Sequence, residues 1–234
     1  MSHNLKIVMV NNGRYNFAVI EDDEYIAPTI ARGYDWDEWM REDVRKYYKT
    51  DTDILDIGSN IGGNTLVFSD YGPVHSFEPV YHEILNINAN RINELKHPVK
   101  VYDFALSDAE CETVMYIPQF CCQYENKINY GGTTLNKRTD GKKTVSVDVS
   151  CKRLDEVYHG IPSIIKIDVE GHELNVLKGA VNTIKKHKPM ILIEIHQFEN
   201  SEIPEFIESL GYDKPDERPE AMYLYRAKDI FSTM

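Results

Sequence analysis

One stretch near residue 54 constrains the fold of this chain more than any other. Ile54, Leu55 and Ile57 form a short apolar run, as expected for a central parallel strand that is covered on both faces. The run leads directly into a turn with the pattern Gly-x-x-x-Gly-Gly at positions 58 to 63. Glycine permits backbone angles that a Cβ opposes, and it lets a ligand approach the main chain. The N–H groups at the start of the next helix would then face a crevice at the strand's carboxyl end.

The glycine spacing separates two classes of cofactor. Dinucleotide-binding folds carry the pattern G-x-G-x-x-G, in which the second glycine lets a pyrophosphate lie against the backbone. Asn60 occupies that position here. The turn therefore favours a ligand without a pyrophosphate, and S-adenosylmethionine (SAM) is the candidate. A strand–turn–helix corner with a purely structural role is the alternative for this segment taken alone.

Strand and helix patterns alternate along the rest of the chain. Further strands are predicted at 74–77, 99–103, 112–117, 143–149, 164–167, 190–195 and 222–226. The alternation predicts an α/β fold with a mostly parallel, doubly wound sheet and right-handed crossovers. Before this core, runs at 5–10 and 15–20 around Asn11-Asn12-Gly13 predict a hairpin. An amphipathic pattern at 35–49 predicts a helix that covers the sheet, and Glu38 and Trp39 could border the cofactor pocket.

The length of 234 residues suits one domain. We expect residues 1–50 to form the hairpin and covering helix as part of that domain. Residues 51–234 would form the core, with a polar insertion at about 118–142.

Composition disfavours several classes of partner. The net charge of -12 argues against a nucleic-acid-binding protein, which needs a basic face. No apolar run reaches the length of a bilayer span, and the first residues lack the apolar core of a signal peptide. The 4 cysteines form no C-x-x-C pair. We therefore predict reduced thiols in a cytoplasmic protein, and the sequence leaves the oligomeric state open.

Glu78 closes the second core strand, 20 residues after Gly58. Folds of this kind place a carboxylate at about that offset to bind the ribose hydroxyls of a nucleoside. A carboxylate there can accept two O–H hydrogen bonds in a charge-assisted pair. Pro79 then ends the strand. An exposed acid without a ligand is the alternative.

The third core strand leads into residues that would contact an adenine ring. Phe104 or Ala105 would contact the ring, and Asp103, Ser107 or Asp108 would hydrogen-bond its edge. A plain turn is the alternative for Ser107 and Asp108.

The polar insertion is rich in Tyr, Asn, Gln, Gly and Thr. Such a long irregular segment inside a compact domain is usually functional or mobile. Its aromatic and amide side chains, including Tyr124, Asn126 and Tyr130, could stack on and hydrogen-bond a polar, ring-shaped acceptor. Low order is the alternative interpretation.

The strand at 164–167 ends in a dense acidic turn. Asp168, Glu170 and Glu173 lie there together with His172. Like charges that are packed together raise one another's pKa, and a catalytic or cofactor-binding role would account for them. A solvated acidic helix start is the alternative, and it suits Glu170 and Glu173 better than Asp168.

The following strand carries Glu194 inside an apolar run and His196 at its carboxyl end, level with Asp168. A buried carboxylate needs a partner, such as Lys166 or a backbone donor. Asp168, Glu194 and His196 could together bind a divalent ion that activates a hydroxyl. A hydrogen-bonded carboxylate–histidine pair is the alternative, and we predict no metal.

Five motifs follow one another along the chain: D-x-G-x-N-x-G, F-E-P, A-L-S-D, L-D and I-D-V-E-G-x-E. They comprise Asp56, Gly58, Asn60 and Gly62; Phe77, Glu78 and Pro79; Ala105 to Asp108; Leu154 and Asp155; and Ile167 to Glu173. Together they resemble the FkbM family of SAM-dependent methyltransferases over about residues 20 to 226. The departures are Ser59, where alanine is frequent, and the long polar insertion. The resemblance implies a Rossmann-like, seven-stranded sheet with its last strand antiparallel.

The resemblance also implies an activity, which is transfer of a methyl group from SAM to a hydroxyl. The acceptor would be a sugar of a glycan, a glycolipid or a nucleotide sugar, for example a deoxyhexose. The predicted SAM-binding residues are Asp56, Gly58, Ser59, Asn60, Gly62, Glu78, Pro79, Phe104, Ala105, Ser107 and Asp168. The predicted acceptor-binding residues are Tyr124, Asn126, Tyr130 and Glu170.

Methyl transfer to an unactivated hydroxyl needs accurate positioning and a base with a pKa near neutral. Asp168, His172 and His196 are the predicted candidates for that base. Two other functions stay open on the sequence alone. An NAD-dependent oxidoreductase is one, although the missing middle glycine speaks against it, and a non-catalytic binding domain of the same fold is the other.

Overall fold

The computed structural model describes residues 5–119, 127–137, 139 and 141–228. Its strands are β1 (Ile7–Asn11), β2 (Asn16–Ile20), β3 (Asp53–Ile57), β4 (Val74–Phe77), β5 (Val99–Tyr102), β6 (Ala105–Leu106), β7 (Cys111–Pro118), β8 (Thr144–Lys152), β9 (Pro162–Ile167), β10 (Met190–Glu194), β11 (Asp216–Glu217) and β12 (Met222–Tyr225). Its helices are α1 (Ile26–Ala31), α2 (Met40–Tyr47), α3 (Gly63–Phe68), α4 (His82–Asn90), α5 (Leu154–Val157), α6 (Glu173–Gly179), α7 (Val181–His187) and α8 (Ile203–Ser209), with a 3-10 turn at Phe198–Asn200. Across these ranges, every helix is too short or too polar to cross a bilayer.

The central sheet contains seven of the described strands, in the order β5-β4-β3-β9-β10-β12-β11. The first five run parallel, and β12 runs antiparallel to both β10 and β11. The predicted α/β, Rossmann-like fold with an antiparallel last strand is therefore confirmed. The chain builds outward from β3 to one edge and then returns to add β9 on the other side. Ligands of such sheets bind at that reversal, beyond the carboxyl ends of the strands.

Both faces of the parallel strands are buried because their side chains alternate between two apolar clusters. Ile54, Ile164 and Leu192 face a cluster that includes residues of α2, α3 and β2. Leu55 and Ile165 face a second cluster that includes residues of α6, α7 and α8. This two-sided burial explains why the core strands read as continuous apolar runs rather than as alternating patterns.

The N-terminal hairpin packs on the core through Asn88 of α4. The side chain of Asn88 accepts a hydrogen bond from the backbone N–H of Ala18 at 2.6 Å and donates to the Ile61 carbonyl at 2.8 Å. The covering helix is shorter than the predicted range of 35–49, because α2 begins only at Met40. Asp37 has a φ of 50°, which a right-handed helix does not allow, so the preceding residues form a turn.

A small second sheet carries the predicted strands that flank the polar insertion. β8 pairs antiparallel with β7 and parallel with β6. The described part of the insertion folds back over the core, since Ile128 bridges Asp23 and Thr134 bridges Tyr116. Tyr124 and Asn126, two of the predicted acceptor-binding residues, lie outside the described residues.

Candidate active site

Two cavities adjoin each other beyond the carboxyl ends of the parallel strands. The first, which we call the apolar cavity, encloses about 540 Å³ and is lined by Phe77, Glu78, Ala105, Leu106 and Met115 among others. The second, which we call the acidic cavity, encloses about 730 Å³ and is lined by Asp37, Lys166, Asp168, Glu170, Glu194 and Glu220 among others. Both cavities share Gly58, Asn60, Gly131, Asp168 and Glu170. The glycine turn and the acidic turn therefore meet where the two cavities join.

The glycine turn takes a conformation that its sequence specifies. Gly58 has a φ of 79°, and a Cβ at this position would lie 1.8 Å from the carbonyl oxygen of Asp168. Gly62 has a φ of 94°, and a Cβ there would lie 2.5 Å from the Leu85 side chain. Asn60 also has a positive φ, of 50°, which asparagine tolerates better than most residues do. The turn therefore brings β3 against the acidic turn after β9.

Glu78 holds this turn in place as well as facing the apolar cavity. Its Oε2 accepts a hydrogen bond from the backbone N–H of Asn60 at 3.0 Å. Its Oε1 accepts two more from the N–H groups of Val80 at 2.7 Å and Tyr81 at 3.0 Å. Burial raises the pKa of Glu78, and these three donors oppose that effect. A carboxylate has about four lone-pair sites, so one acceptor site is left for a ligand instead of the predicted two.

A buried ion network lies beneath the turn. Lys166, in the middle of β9, places its Nζ 3.2 Å from Asp168 and 3.5 Å from Asp56. Burial lowers the pKa of Lys166, but Asp168 and Asp56 outweigh burial and raise it above the ordinary value. Asp56 also accepts a hydrogen bond from Thr65 at 2.6 Å. Lys166 is therefore an ammonium group that neutralises two aspartates, and it does not pair with Glu194 as the sequence suggested.

The acidic cavity contains carboxyl groups with perturbed pKa values. Burial, together with the neighbouring Glu220, raises the pKa of Asp37 to about 7. Burial, together with Asp168 and Glu170, raises the pKa of Glu194 to about 9. At neutral pH the cavity thus holds both charged and protonated carboxyl groups, as functional sites often do.

The three predicted bases occupy different places. Asp168 lines both cavities beside Lys166. His172 lines only the apolar cavity, where its Nε2 lies 2.9 Å from the Oγ of Ser107 and burial lowers its pKa. The His196 side chain is 60% exposed, lines neither cavity and contacts Glu194 at 3.2 Å. The structure therefore does not bring His196 together with Asp168 as predicted.

Most of the other predicted site residues line the cavities. Gly58, Asn60, Glu78, Pro79, Ala105 and Glu170 line the apolar cavity, and Ser59 lines the acidic cavity.

Five predicted residues line neither cavity: Asp56, Gly62, Phe104, Ser107 and Tyr130. Asp56 is fully buried beneath the turn, and Phe104 packs against Phe77 with ring centroids 5.9 Å apart. Tyr130 is buried and donates a hydrogen bond to Asp22 at 3.1 Å. Their predicted roles in binding SAM or the acceptor stay predictions.

Several residues of the acidic cavity escaped the sequence analysis. Trp36 and Asp37 line it, whereas the predicted Glu38 and Trp39 do not. Glu220 comes from the loop before β12 and has a φ of 60°. No motif marks these positions, because each lies far along the chain from the glycine turn. Lys166 was the one visible signal, since a charge within a fully buried strand requires partners.

The possible metal ligands are also rearranged. Glu170, Glu194 and His196 offer ligand atoms that all lie within 4.8 Å of one another. Glu170 therefore takes the place that the sequence analysis gave to Asp168 in this group.

Comparison with known proteins assigns the chain to a family. Residues 56–214 match the methyltransferase FkbM domain. The chain belongs to this family. A hexuronic acid methyltransferase, AglP, from Haloferax volcanii is 29% identical over 147 residues, which are 62% of this chain and 56% of that protein. The chain thus matches only about half the length of this relative.

Two solved structures resemble the FkbM-family chain. A protein from Clostridium thermocellum assigned as an rRNA methylase is 8% identical, with a TM-score of 0.50 over 82% of this chain and 95% of the other. At that identity the likeness concerns the fold alone. The methyltransferase FkbM from Methylobacillus flagellatus is 19% identical, with a TM-score of 0.49 over 75% of this chain and 43% of the other.

Proposed function

We propose that this chain is a SAM-dependent methyltransferase that transfers a methyl group to a hydroxyl of a sugar. The observation that carries the proposal is the junction of the two cavities at Gly58 and Asp168. A mainly apolar cavity with Glu78 in its wall suits a nucleoside, and an adjoining polar cavity suits an acceptor that must reach the reacting atom. Membership of the FkbM methyltransferase family supports the reaction, and the name of the Haloferax relative supports a sugar acceptor.

The residues present fit SAM in polarity. The apolar cavity has the walls that an adenine ring requires, with Ala105 among them, and Glu78 keeps one acceptor site for a ribose hydroxyl. Gly58 lets β3 approach the backbone carbonyl of Asp168, because a Cβ there would collide with that carbonyl. Gly58, Asn60 and Asp168 would hold the methionine part where the cavities join. When bound, SAM supplies a methyl group on a positively charged sulfur.

The charge of the acidic cavity favours an acceptor without a carboxylate. Its single lysine, Lys166, is already paired with Asp56 and Asp168. An acceptor carboxylate would be repelled by Glu170 and Glu220 and would find no free cation among the described lining residues. We therefore propose a neutral or amine-bearing sugar, whereas the name of the Haloferax relative specifies a hexuronic acid.

Incubation with methyl-labelled SAM and a panel of glycosides tests this function. The panel contains neutral hexosides, 6-deoxyhexosides, amino sugars, hexuronides and nucleotide sugars. We expect label in a neutral or amine-bearing sugar and SAM binding by calorimetry. Binding of SAM without transfer to any acceptor would indicate a non-catalytic domain, and stabilisation by NAD instead of SAM would indicate an oxidoreductase. Preferred labelling of hexuronides would contradict the acceptor assignment alone.

Replacing Glu78 by glutamine should weaken SAM binding by about 10- to 100-fold, because hydrogen bonds to a charged acceptor contribute about 1.5–3 kcal/mol. The NH₂ group of the amide would also face a backbone donor, either that of Asn60 or those of Val80 and Tyr81, and the hydrogen bonds on that side would be lost. Calorimetric titration with SAM measures the change. Glu83→Gln, on the exposed side of α4, is the matched control. Equal affinities for the two variants would show that Glu78 does not bind the cofactor.

Removal of divalent ions should leave methyl transfer unchanged. Burial and the neighbouring carboxylates raise the pKa of Glu194 to about 9, so at neutral pH it is a protonated acid, which is a weak ligand for a divalent ion. The measurement is the transfer rate with and without excess EDTA, followed by addition of Mg²⁺ or Mn²⁺. A rate that falls with EDTA and returns with either ion would assign a metal to Glu170, Glu194 and His196.

A further inference from the structure

We infer that Asp37, paired with Glu220, accepts the proton of the acceptor hydroxyl during methyl transfer. The inference rests on the proposed function and adds to it a catalytic residue that lies outside the motifs of the sequence.

The geometry places Asp37 in the wall of the acidic cavity. Gly58 and Asp168, which lie where the two cavities join, line the same cavity. The Nδ2 of Asn64, near the start of α3, donates a hydrogen bond to the Oδ2 of Asp37 at 2.9 Å. Asn64 is only 5% exposed and is itself part of the cavity wall. Asp37 is therefore held in one orientation by a rigid helix of the core.

A second carboxyl group faces Asp37 from the other end of the chain. Glu220, from the loop before β12, lies within hydrogen-bonding reach of Asp37 and lines the same cavity. Both residues have positive φ values, of 50° for Asp37 and 60° for Glu220. Glu220 therefore opposes the ionisation of Asp37, because two ionised carboxyl groups this close together repel each other.

The groups around Asp37 bring its pKa close to neutral pH. Burial, together with Glu220, raises the pKa of Asp37 to about 7, against the opposing effects of Asn64 and Lys166. Asp168, Glu170 and Glu194 face the same cavity. A general base is most effective when its pKa lies close to the working pH.

The other acids and imidazoles suit the role less well. Asp168 forms an ion pair with the buried ammonium group of Lys166. Glu194, with a pKa of about 9, is protonated at neutral pH and cannot take a second proton. His172 lies in the apolar cavity and His196 is outside both cavities. Asp37 combines a place in the wall of the acidic cavity with a pKa near neutral.

The proton and the methyl group then move in a balanced step. The acceptor oxygen forms a bond to the methyl carbon, and the carbon–sulfur bond breaks with its electron pair remaining on sulfur. The hydroxyl proton passes to Asp37, and the pair returns it to solvent through the open acidic cavity. No oxidant, reductant or further reactant is consumed.

Two variants test this role with the sugar of the panel that the wild-type protein methylates fastest. Asp37→Asn should reduce the transfer rate by about 100- to 1,000-fold while SAM affinity stays within about twofold of wild type. Glu220→Gln should still transfer methyl groups, but the acidic limb of its pH–rate profile should lie about one pH unit lower than in wild type. The reason is that removal of the opposing acid makes Asp37 easier to ionise. Glu199→Gln, on the exposed 3-10 turn, is the control and should match wild type in both measurements.

Wild-type rates in Asp37→Asn, or an unchanged pH profile in Glu220→Gln, would overturn the inference. A merely structural role for Glu220 would lower the rate without moving the profile. If the melting temperature and SAM affinity show that Asp37→Asn does not fold, the pH–rate profile of Glu220→Gln is the test of the inference. A wild-type protein that transfers no methyl group would overturn both the proposed function and this inference. If the wild-type protein does transfer methyl groups, the Asp37→Asn and Glu220→Gln results test the role of Asp37 alone.

Discussion

Replacing Gly58 by alanine is expected to weaken SAM binding by at least about 100-fold, which corresponds to about 2.7 kcal/mol. The new Cβ would lie 1.8 Å from the carbonyl oxygen of Asp168 and 3.1 Å from the Val169 side chain. Backbone cannot yield to such a contact as a flexible side chain can, so β3 and the acidic turn must move apart. The junction between the two cavities would open, and Asp168 would shift from its contact with Lys166. Calorimetric titration with SAM measures the loss.

Gly13→Ala is the matched control for this variant. Gly13 also has a positive φ, of 91°, but a Cβ there meets nothing within 4 Å. The control therefore carries the cost of a left-handed alanine, about 1–2 kcal/mol, without the collision. It should lower the melting temperature and leave SAM affinity unchanged. Similar SAM affinities for the two variants would show that the close approach of Gly58 to Asp168 does not shape the binding site.

The fold was predictable because its determinants are local in the sequence. Each parallel strand is an apolar run of a few residues, and each is followed by a turn with recognisable glycine or acidic residues. Ile54 to Ile57 could be assigned as a central strand because both faces had to be buried, and the structure confirms this with two separate apolar clusters. The covering helix was predicted too long because the left-handed conformation of Asp37 leaves no signal in an amphipathic pattern.

The cavity walls were harder to predict, because small changes of direction decide which side chains face a ligand. Phe104 and Ala105 are adjacent, yet Ala105 lines the apolar cavity while Phe104 packs against Phe77. Successive side chains in extended chain point to opposite sides, so an error of one residue reverses the assignment. His196 shows the same limit, since it lies two residues beyond Glu194, the last residue of β10, and its side chain is 60% exposed.

The acidic cavity could not be assembled from sequence at all. It joins Asp37 before α2, Lys166 in β9 and Glu220 before β12, which no local pattern connects.

Glu78 shows a second reason why site geometry could not be predicted from sequence. Its offset from Gly58 predicts a ribose ligand, but the three backbone N–H groups that it also accepts become visible only in three dimensions. The same carboxylate therefore shapes the turn and leaves one acceptor site for a ligand.

Replacing Lys166 by methionine is expected to destabilise the protein by about 3–5 kcal/mol, because it leaves buried carboxylates without their counter-charge. The Lys166 side chain is 2% exposed and that of Asp56 is 0% exposed. Among the described residues, the Oδ1 of Asp56 has no hydrogen-bond partner and depends on this ion pair. Chemical denaturation at neutral pH measures the difference, with Lys178→Met on the exposed face of α6 as the control.

The pH dependence follows from the direction of the pKa shift. Burial lowers the pKa of Lys166, but Asp168 and Asp56 raise it above the value in the unfolded chain. The stabilisation is therefore complete at neutral pH and is lost only as the pH rises through that raised value. The difference in stability between wild type and Lys166→Met should therefore shrink only in strongly alkaline solution, where Lys166 loses its proton. A difference that stays constant there would point to packing instead of charge.

The double variant Lys166→Met with Asp56→Asn separates these two causes. Methionine replaces most of the apolar stem of lysine, and asparagine keeps the shape of the aspartate while removing its charge. If the buried charge is responsible, the second substitution should recover at least about half of the lost stability, since neighbouring sites of one network couple strongly. The hydrogen bond from Thr65 reaches the Oδ2 of Asp56, so this contact can persist with the amide oxygen of asparagine. A double variant that is less stable than Lys166→Met would contradict this account, because the Asp56 charge would then stabilise the fold without Lys166.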